Sequence, residues 1–229
     1  MFYFDPLYLV FAAPALLLAM FAQWKVSSTY DKYTKIRNMR NITGVEAARY
    51  LLRMNGLNLN VNGTPGYLTD HYDPRDKSLY LSQGVAQTPS VASLAIVAHE
   101  VGHAVQDAQG YLPMRLRAFL VMPANLGPWV GYILFIVGII INASGLVWLG
   151  IAAFSLGLFF ALATLPVEFN ASRRALQMLQ NSALVGPGEV DAARAVLTAA
   201  ALTYVAAAAQ VLSQLLYYVF VALNLRRDE

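Results

Sequence analysis

From Ala118 to Val167 the chain carries no charged side chain, and most of this run is "GPWVGYILFIVGIIINASGLVWLGIAAFSLGLFFALATLPV". A bilayer core of ~30 Å takes about 20 helical residues per crossing, so the run fits two spans. Asn142–Ala143–Ser144–Gly145 marks a turn between them, which divides the run into spans at 119–141 and 146–166. Residues 6–23 are uncharged as well and predict a span over 6–24. Ala195–Asn224 is a third uncharged block, long enough for one tilted helix over 195–224. Within hydrocarbon only helices and closed barrels satisfy their own backbone, and runs this long predict helices. The composition, 58% hydrophobic and 13% charged, excludes an ordinary soluble domain. The expectation is a mainly α, polytopic membrane protein with three or four transmembrane helices. The "MFYFD" flank of the first block lacks Lys and Arg, unlike a secretory signal, so that block is read as a retained span.

Lys and Arg orient such a chain, because they accumulate on the cytoplasmic side. Residues 25–118 hold eleven of the sixteen basic residues, and the turn at 142–145 holds none. Arg173, Arg174 and Arg194 follow the third span. Both polar segments, 25–118 and 167–194, are therefore expected on the cytoplasmic side; Arg226 and Arg227 disagree if the last helix crosses fully. The net charge of +3 follows this pattern and forms no patch for nucleic acid. With no cysteine, a metal would have to be held by His, Asp or Glu.

Residues 25–118 read as a compact α+β module. "TGVE" at 43–46 is a capping box opening a helix toward Met54, and Asn55–Gly56 ends it. "LNLNVN" at 57–62 alternates like a half-buried strand. "GYLTDHY" and "KSLYLS" flank "DPRD" as a hairpin. Thr88–Pro89 then starts a helix that runs through "AHEVGHAVQD" and stops near Gly110.

That last helix carries chemistry. His99 and His103 are four apart and project from one helical face, where they can share a metal. Glu100 stands beside that face, placed to take a proton from a metal-activated water. The alternative is a solvated polar face, but the neighbouring Val97, Ala98, Val101, Ala104 and Val105 are apolar, and buried imidazoles need partners. A catalytic zinc wants a third protein ligand. His71 is possible; Glu168 is better, because a carboxylate at the edge of a hydrocarbon segment is costly unless paired or liganded. Pro166 marks a fresh helical start ahead of it, and Arg173 or Arg174 is its competing partner.

The stretches "TGVEAARYLLRMNGL", "LTDHYDPRDKSLYLS", "AHEVGHAVQDAQGY" and "LPVEFNASRRAL" together resemble the bacterial membrane-bound neutral zinc metallopeptidases, the YugP-like family, in the family's order. The chain also looks distantly like the heat-shock membrane metalloproteases. The resemblance implies a gluzincin-like module with one Zn2+ held by His99, His103 and Glu168, and with Glu100 as general base. It implies a multi-pass protein of the bacterial inner membrane. The wider group often has an Asp four residues after its glutamate ligand to orient a histidine; here that position is Ser172, which polarises an imidazole less. Asp107, one turn beyond His103, is an alternative orienter or a solvated helix-end carboxylate. His71 could bind substrate or the developing oxyanion, or could be a structural hairpin residue. The expected reaction is hydrolysis of a peptide bond in a membrane or membrane-proximal polypeptide; the competing expectation is an inactive membrane scaffold that retains a structural zinc.

Overall fold

A computed structural model describes residues 6–225, so the basic pair at 226–227 and the flank at 1–5 lie outside the described residues. The elements in chain order are α1 (Pro6–Thr34), α2 (Gly44–Met54), β1 (Asn60–Thr64), β2 (His71–Asp73), β3 (Ser78–Ser82), α3 (Gln83–Gln87), α4 (Val91–Ala108), α5 (Leu112–Ile140), α6 (Ser144–Asn181) and α7 (Pro187–Leu225). Four of the helices, α1, α5, α6 and α7, are long and apolar enough to cross a membrane. The chain is a mainly α, multi-pass membrane protein that forms two compact units.

Among the described residues, one unit holds 6–21, 115–165 and 203–225. Many of its large apolar side chains are exposed: Phe119 is 75% exposed, Ile140 71% and Trp129 67%. Soluble proteins rarely expose so many large apolar side chains, and lipid is the solvent that removes the penalty. With lipid outside, helices associate through close backbone contact and small residues. A Cβ on Gly131 would stand 2.6 Å from the Gly150 carbonyl oxygen, so α5 and α6 touch at these two glycines. On α7, Tyr218 stacks on Phe135 with ring centroids 4.3 Å apart and meets Phe154 edge-on at 5.0 Å.

The other unit holds residues 22–114 and 166–202. Its core of Leu51, Leu79, Leu81, Leu94, Val97, Val101 and Leu179 is fully buried. The capping box forms as the sequence predicts, with the Thr43 side chain accepting from the Glu46 amide and the Glu46 carboxylate accepting from the Thr43 amide. Gly56, at φ +69°, closes the helix: its N–H donates to Arg53 and that of Leu57 to Leu52. This closure, in which the two residues after the cap bond back into the last turn, uses the backbone of Leu57. The strand expected from residue 57 therefore begins only at Asn60.

The hairpin around 74–77 is present, pairing His71 with Tyr80 and Asp73 with Ser78 antiparallel. β1 lies parallel to β3 on its other side, giving the order β1-β3-β2. The short helix α3 was not anticipated. α4 starts later than Thr88–Pro89, because residues 36–38 pair with this segment: Asn38 donates to the Pro89 carbonyl and Val91 to the Ile36 carbonyl. Ser90 is thereby held extended and caps the helix, its side chain accepting from the Ser93 amide. Gly110, at φ +63°, follows its end.

Pro166 does not start a helix. α6 runs through it unbroken, since a proline removes one hydrogen bond and membrane helices tolerate this. The break comes instead inside the segment 167–194, where Ala183 at φ +52° precedes Gly186–Pro187. There the Glu189 carboxylate accepts the Gly186 amide and α7 begins.

Candidate metal centre

α4 and α6 supply the site, and a glycine sets their separation. A Cβ on Gly102 would meet the Ala171 carbonyl oxygen at 2.8 Å, closer than real side chains pack. The absent side chain brings the α6 backbone against α4, within reach of a side chain as short as Glu168.

Across that contact three groups converge. Nε2 of His99 and Nε2 of His103 are 3.1 Å apart, and Oε2 of Glu168 lies 3.2 Å from the first and 3.4 Å from the second. A tetrahedral zinc with bonds of ~2.0–2.1 Å to N and O separates its ligand atoms by about 3.3 Å. The observed spacings match that requirement. All three residues are buried, Glu168 to 1% exposure, and buried charge of this kind demands a counter-charge. Burial opposes protonation of His103, but the Glu168 hydrogen bond and the Glu100 and Glu168 carboxylates outweigh it and raise its pKa. A divalent cation answers the same concentration of negative charge. The donor set, two imidazoles and one carboxylate, fits zinc.

Glu100 is buried next to the pair and is held from the sheet side. Its Oε2 accepts the backbone N–H of Tyr72 in β2 at 3.0 Å. Burial pushes its pKa up, the two imidazoles oppose this, and the Glu168 and Asp70 carboxylates add to the rise. A carboxylate that must accept a proton gains basicity from a pKa raised above the ordinary range. Asp70, just before β2, is anchored by the amide and hydroxyl of Ser82 at the end of β3.

The remaining residues singled out in the sequence are dispersed around this centre. Ser172 Oγ lies 3.2 Å from Nδ1 of His99, the side of that ring facing away from the cluster. Asp107 accepts the Tyr72 hydroxyl at 2.8 Å. His71 is on the opposite face of β2 from Tyr72; its exposed ring stacks on Tyr80 at 4.8 Å, with Nδ1 2.8 Å from the Thr69 carbonyl. Arg174, considered as a partner for Glu168, donates to Asn170 and covers the Tyr111 ring at 6.0 Å.

Sequence reasoning passed over Gln106. It is fully buried on α4, with Oε1 2.9 Å from Nδ1 of His103. A signal existed: a glutamine one turn beyond His103 in an otherwise apolar helix has to find buried partners.

A family model described as "Putative neutral zinc metallopeptidase" matches residues 8–223. A Bacillus subtilis protein named "Putative membrane protease YugP" is 41% identical over 224 residues, which is 97% of this chain and 99% of that protein. No solved structure matches the chain.

Proposed function

Because the chain belongs to the neutral zinc metallopeptidase family, we propose that it is a membrane-embedded zinc endopeptidase whose ligands are His99, His103 and Glu168 and whose general base is Glu100. The observation that carries this reading is the convergence of two imidazoles and a carboxylate within 3.4 Å, with a second carboxylate held beside them by the Tyr72 amide. One bound zinc would supply a water of lowered pKa and a polarised scissile carbonyl. Glu100 accepts the proton of the attacking water and returns it to the departing amine. The Tyr72 N–H holds its carboxylate while this happens. An inactive scaffold with a structural metal has no use for such a carboxylate.

Two features of the sequence locate the work. Glu168 directly follows an uncharged run of spanning length, so the site belongs close to the bilayer surface. The basic residues of 25–118 and 173–194 support the reading that this surface faces the cytoplasm, the proposed membrane being the bacterial inner one. The proposed substrates are accordingly membrane proteins or polypeptides cut near the bilayer. The test is zinc content and proteolysis for the wild type, Glu100→Ala and Glu168→Ala in detergent. Glu100→Ala keeps zinc and loses activity by about 10²–10⁴-fold, whereas Glu168→Ala loses both. Full proteolysis by Glu100→Ala would remove the mechanism, and equal cleavage of soluble unfolded proteins would remove the substrate restriction.

A further inference from the structure

Gln106 makes three hydrogen-bond contacts from a fully buried position. Its Oε1 is 2.9 Å from Nδ1 of His103, while its Nε2 donates to the Val167 carbonyl at 2.8 Å and to Oδ1 of Asn170 at 2.9 Å. A backbone carbonyl can only accept, so the amide nitrogen must face Val167 and the amide oxygen must face His103. That oxygen in turn requires an N–H at Nδ1. A neutral imidazole has one N–H, so Nε2 of His103 is left as a bare lone pair turned toward His99 and Glu168.

We infer that Gln106 is a positioning residue that locks His103 in its metal-binding tautomer and, through the same amide, ties α4 to α6 so that Glu168 meets the two imidazoles. The inference rests on the zinc reading of these three ligands. Val167, whose carbonyl takes the amide, is the residue immediately before Glu168, so the tie acts at the ligand itself. The chain of constraints extends one step further. Arg174 Nε donates to the same Asn170 Oδ1 at 2.7 Å, and a guanidinium can only donate. Asn170 is thus oriented from both sides, with its oxygen toward Gln106 and Arg174.

The chemistry also explains why an amide serves here. Ligand histidines usually donate to a carboxylate or a backbone carbonyl. A carboxylate at 106 would add negative charge beside Glu100 and Glu168, and it would place an acceptor against the acceptor oxygens of Val167 and Asn170. An amide accepts on one side and donates on the other, which an ionised carboxylate cannot do.

Two measurements on the full-length protein in detergent test this. The first is zinc affinity by chelator competition. Gln106→Leu weakens zinc about 10–100-fold. Gln106→Glu weakens it too, although it keeps an acceptor, because it loses the donors. Asn170→Leu loosens zinc by a smaller factor, and Asn170→Asp, which keeps an oxygen facing the Gln106 amide, restores it. The second is imidazole nitrogen NMR of the metal-free protein at a pH where the rings are neutral, with His103 assigned by variants of the other two histidines. Wild-type His103 shows the Nδ1–H tautomer, and Gln106→Leu shifts it to a mixture.

Zinc affinity within threefold of wild type in Gln106→Leu, with the Nδ1–H tautomer retained, overturns the inference. If Gln106→Leu does not fold, as judged by thermal unfolding, the Asn170→Leu and Asn170→Asp pair decides by whether the second recovers what the first loses. If the wild type binds no zinc, the peptidase reading fails, and the tautomer measurement alone still upholds or refutes the lock.

Discussion

The backbone N–H of Tyr72 donates to the carboxylate of Glu100 across 3.0 Å. A single β-strand residue thereby holds the candidate general base, and its phenol reaches along α4 to Asp107 at 2.8 Å. β2 is docked on α4 by hydrogen bonds at both ends of one residue. The backbone half of this clamp is insensitive to side-chain identity, whereas the phenol half is not. Tyr72→Phe is expected to lower stability by about 1 kcal/mol, the usual net value of one hydrogen bond. Chemical unfolding of the two proteins in the same detergent measures it, and coincident midpoints would mean that the Asp107 bond contributes nothing.

Gly102→Ala tests the close approach of α4 and α6. Its Cβ would lie 2.8 Å from the Ala171 carbonyl oxygen, and rigid backbone on both sides leaves no flexible group to yield. The helices must separate, at a cost of about 1–3 kcal/mol. The same displacement carries Glu168 away from the imidazoles, so zinc affinity falls with stability. Loss of stability with unchanged zinc affinity would show that the ligand geometry does not depend on this contact.

Ser172 tests the orientation of His99. Its hydroxyl is 3.2 Å from Nδ1, so Ser172→Ala leaves that ring nitrogen without this partner and weakens zinc by up to about tenfold. Ser172→Asp supplies a stronger acceptor at the same place and tightens it. Chelator titration of the three proteins ranks them Asp, Ser, Ala; any other order counts against the arrangement.

Zinc removal has a structural consequence. A ligand that binds only the folded state stabilises it by mass action. A strong chelator therefore lowers the melting temperature of the wild type and leaves that of Glu168→Ala in place. Equal responses of the two proteins would place the relevant metal elsewhere.

Asp70 gives a pH dependence whose sign can be worked out. Burial raises its folded-state pKa above the ordinary 3.8, although the Ser82 hydrogen bonds oppose this. The folded protein therefore binds this proton more tightly than the unfolded chain, and the ionised carboxylate is a cost above the folded pKa. Asp70→Asn, which keeps an acceptor for the Ser82 amide, is expected to be more stable than the wild type at neutral pH. The advantage shrinks as pH falls through the raised pKa toward 3.8 and vanishes below it. Melting curves at several pH values check this, and a gap that widens on acidification would reverse the argument.

Much of this molecule was readable in one dimension. An uncharged run of spanning length leaves the backbone no solution but a helix, so the four apolar segments appear as α1, α5, α6 and α7. The pair His99 and His103 was readable because a helix places every fourth residue on one face. The capping box and the 74–77 hairpin follow from equally local hydrogen bonding. Expectations failed where a distant segment competes for the backbone. Pairing of residues 36–38 with 89–91 delays the start of α4, and the single bond lost at Pro166 is too small a penalty to end α6.

The order of residues alone determined that the chain crosses a bilayer and that it offers paired imidazoles with an adjacent carboxylate, because both rest on interactions a few positions long. Which glutamate meets those imidazoles, which amide steadies Glu100, and which hydroxyl lies against His99 were decided only by the packing of α4 against α6 and β2. The reason is physical. These contacts join positions 28 to 73 residues apart, and only the folded backbone, brought close by a missing Cβ at Gly102, makes them neighbours.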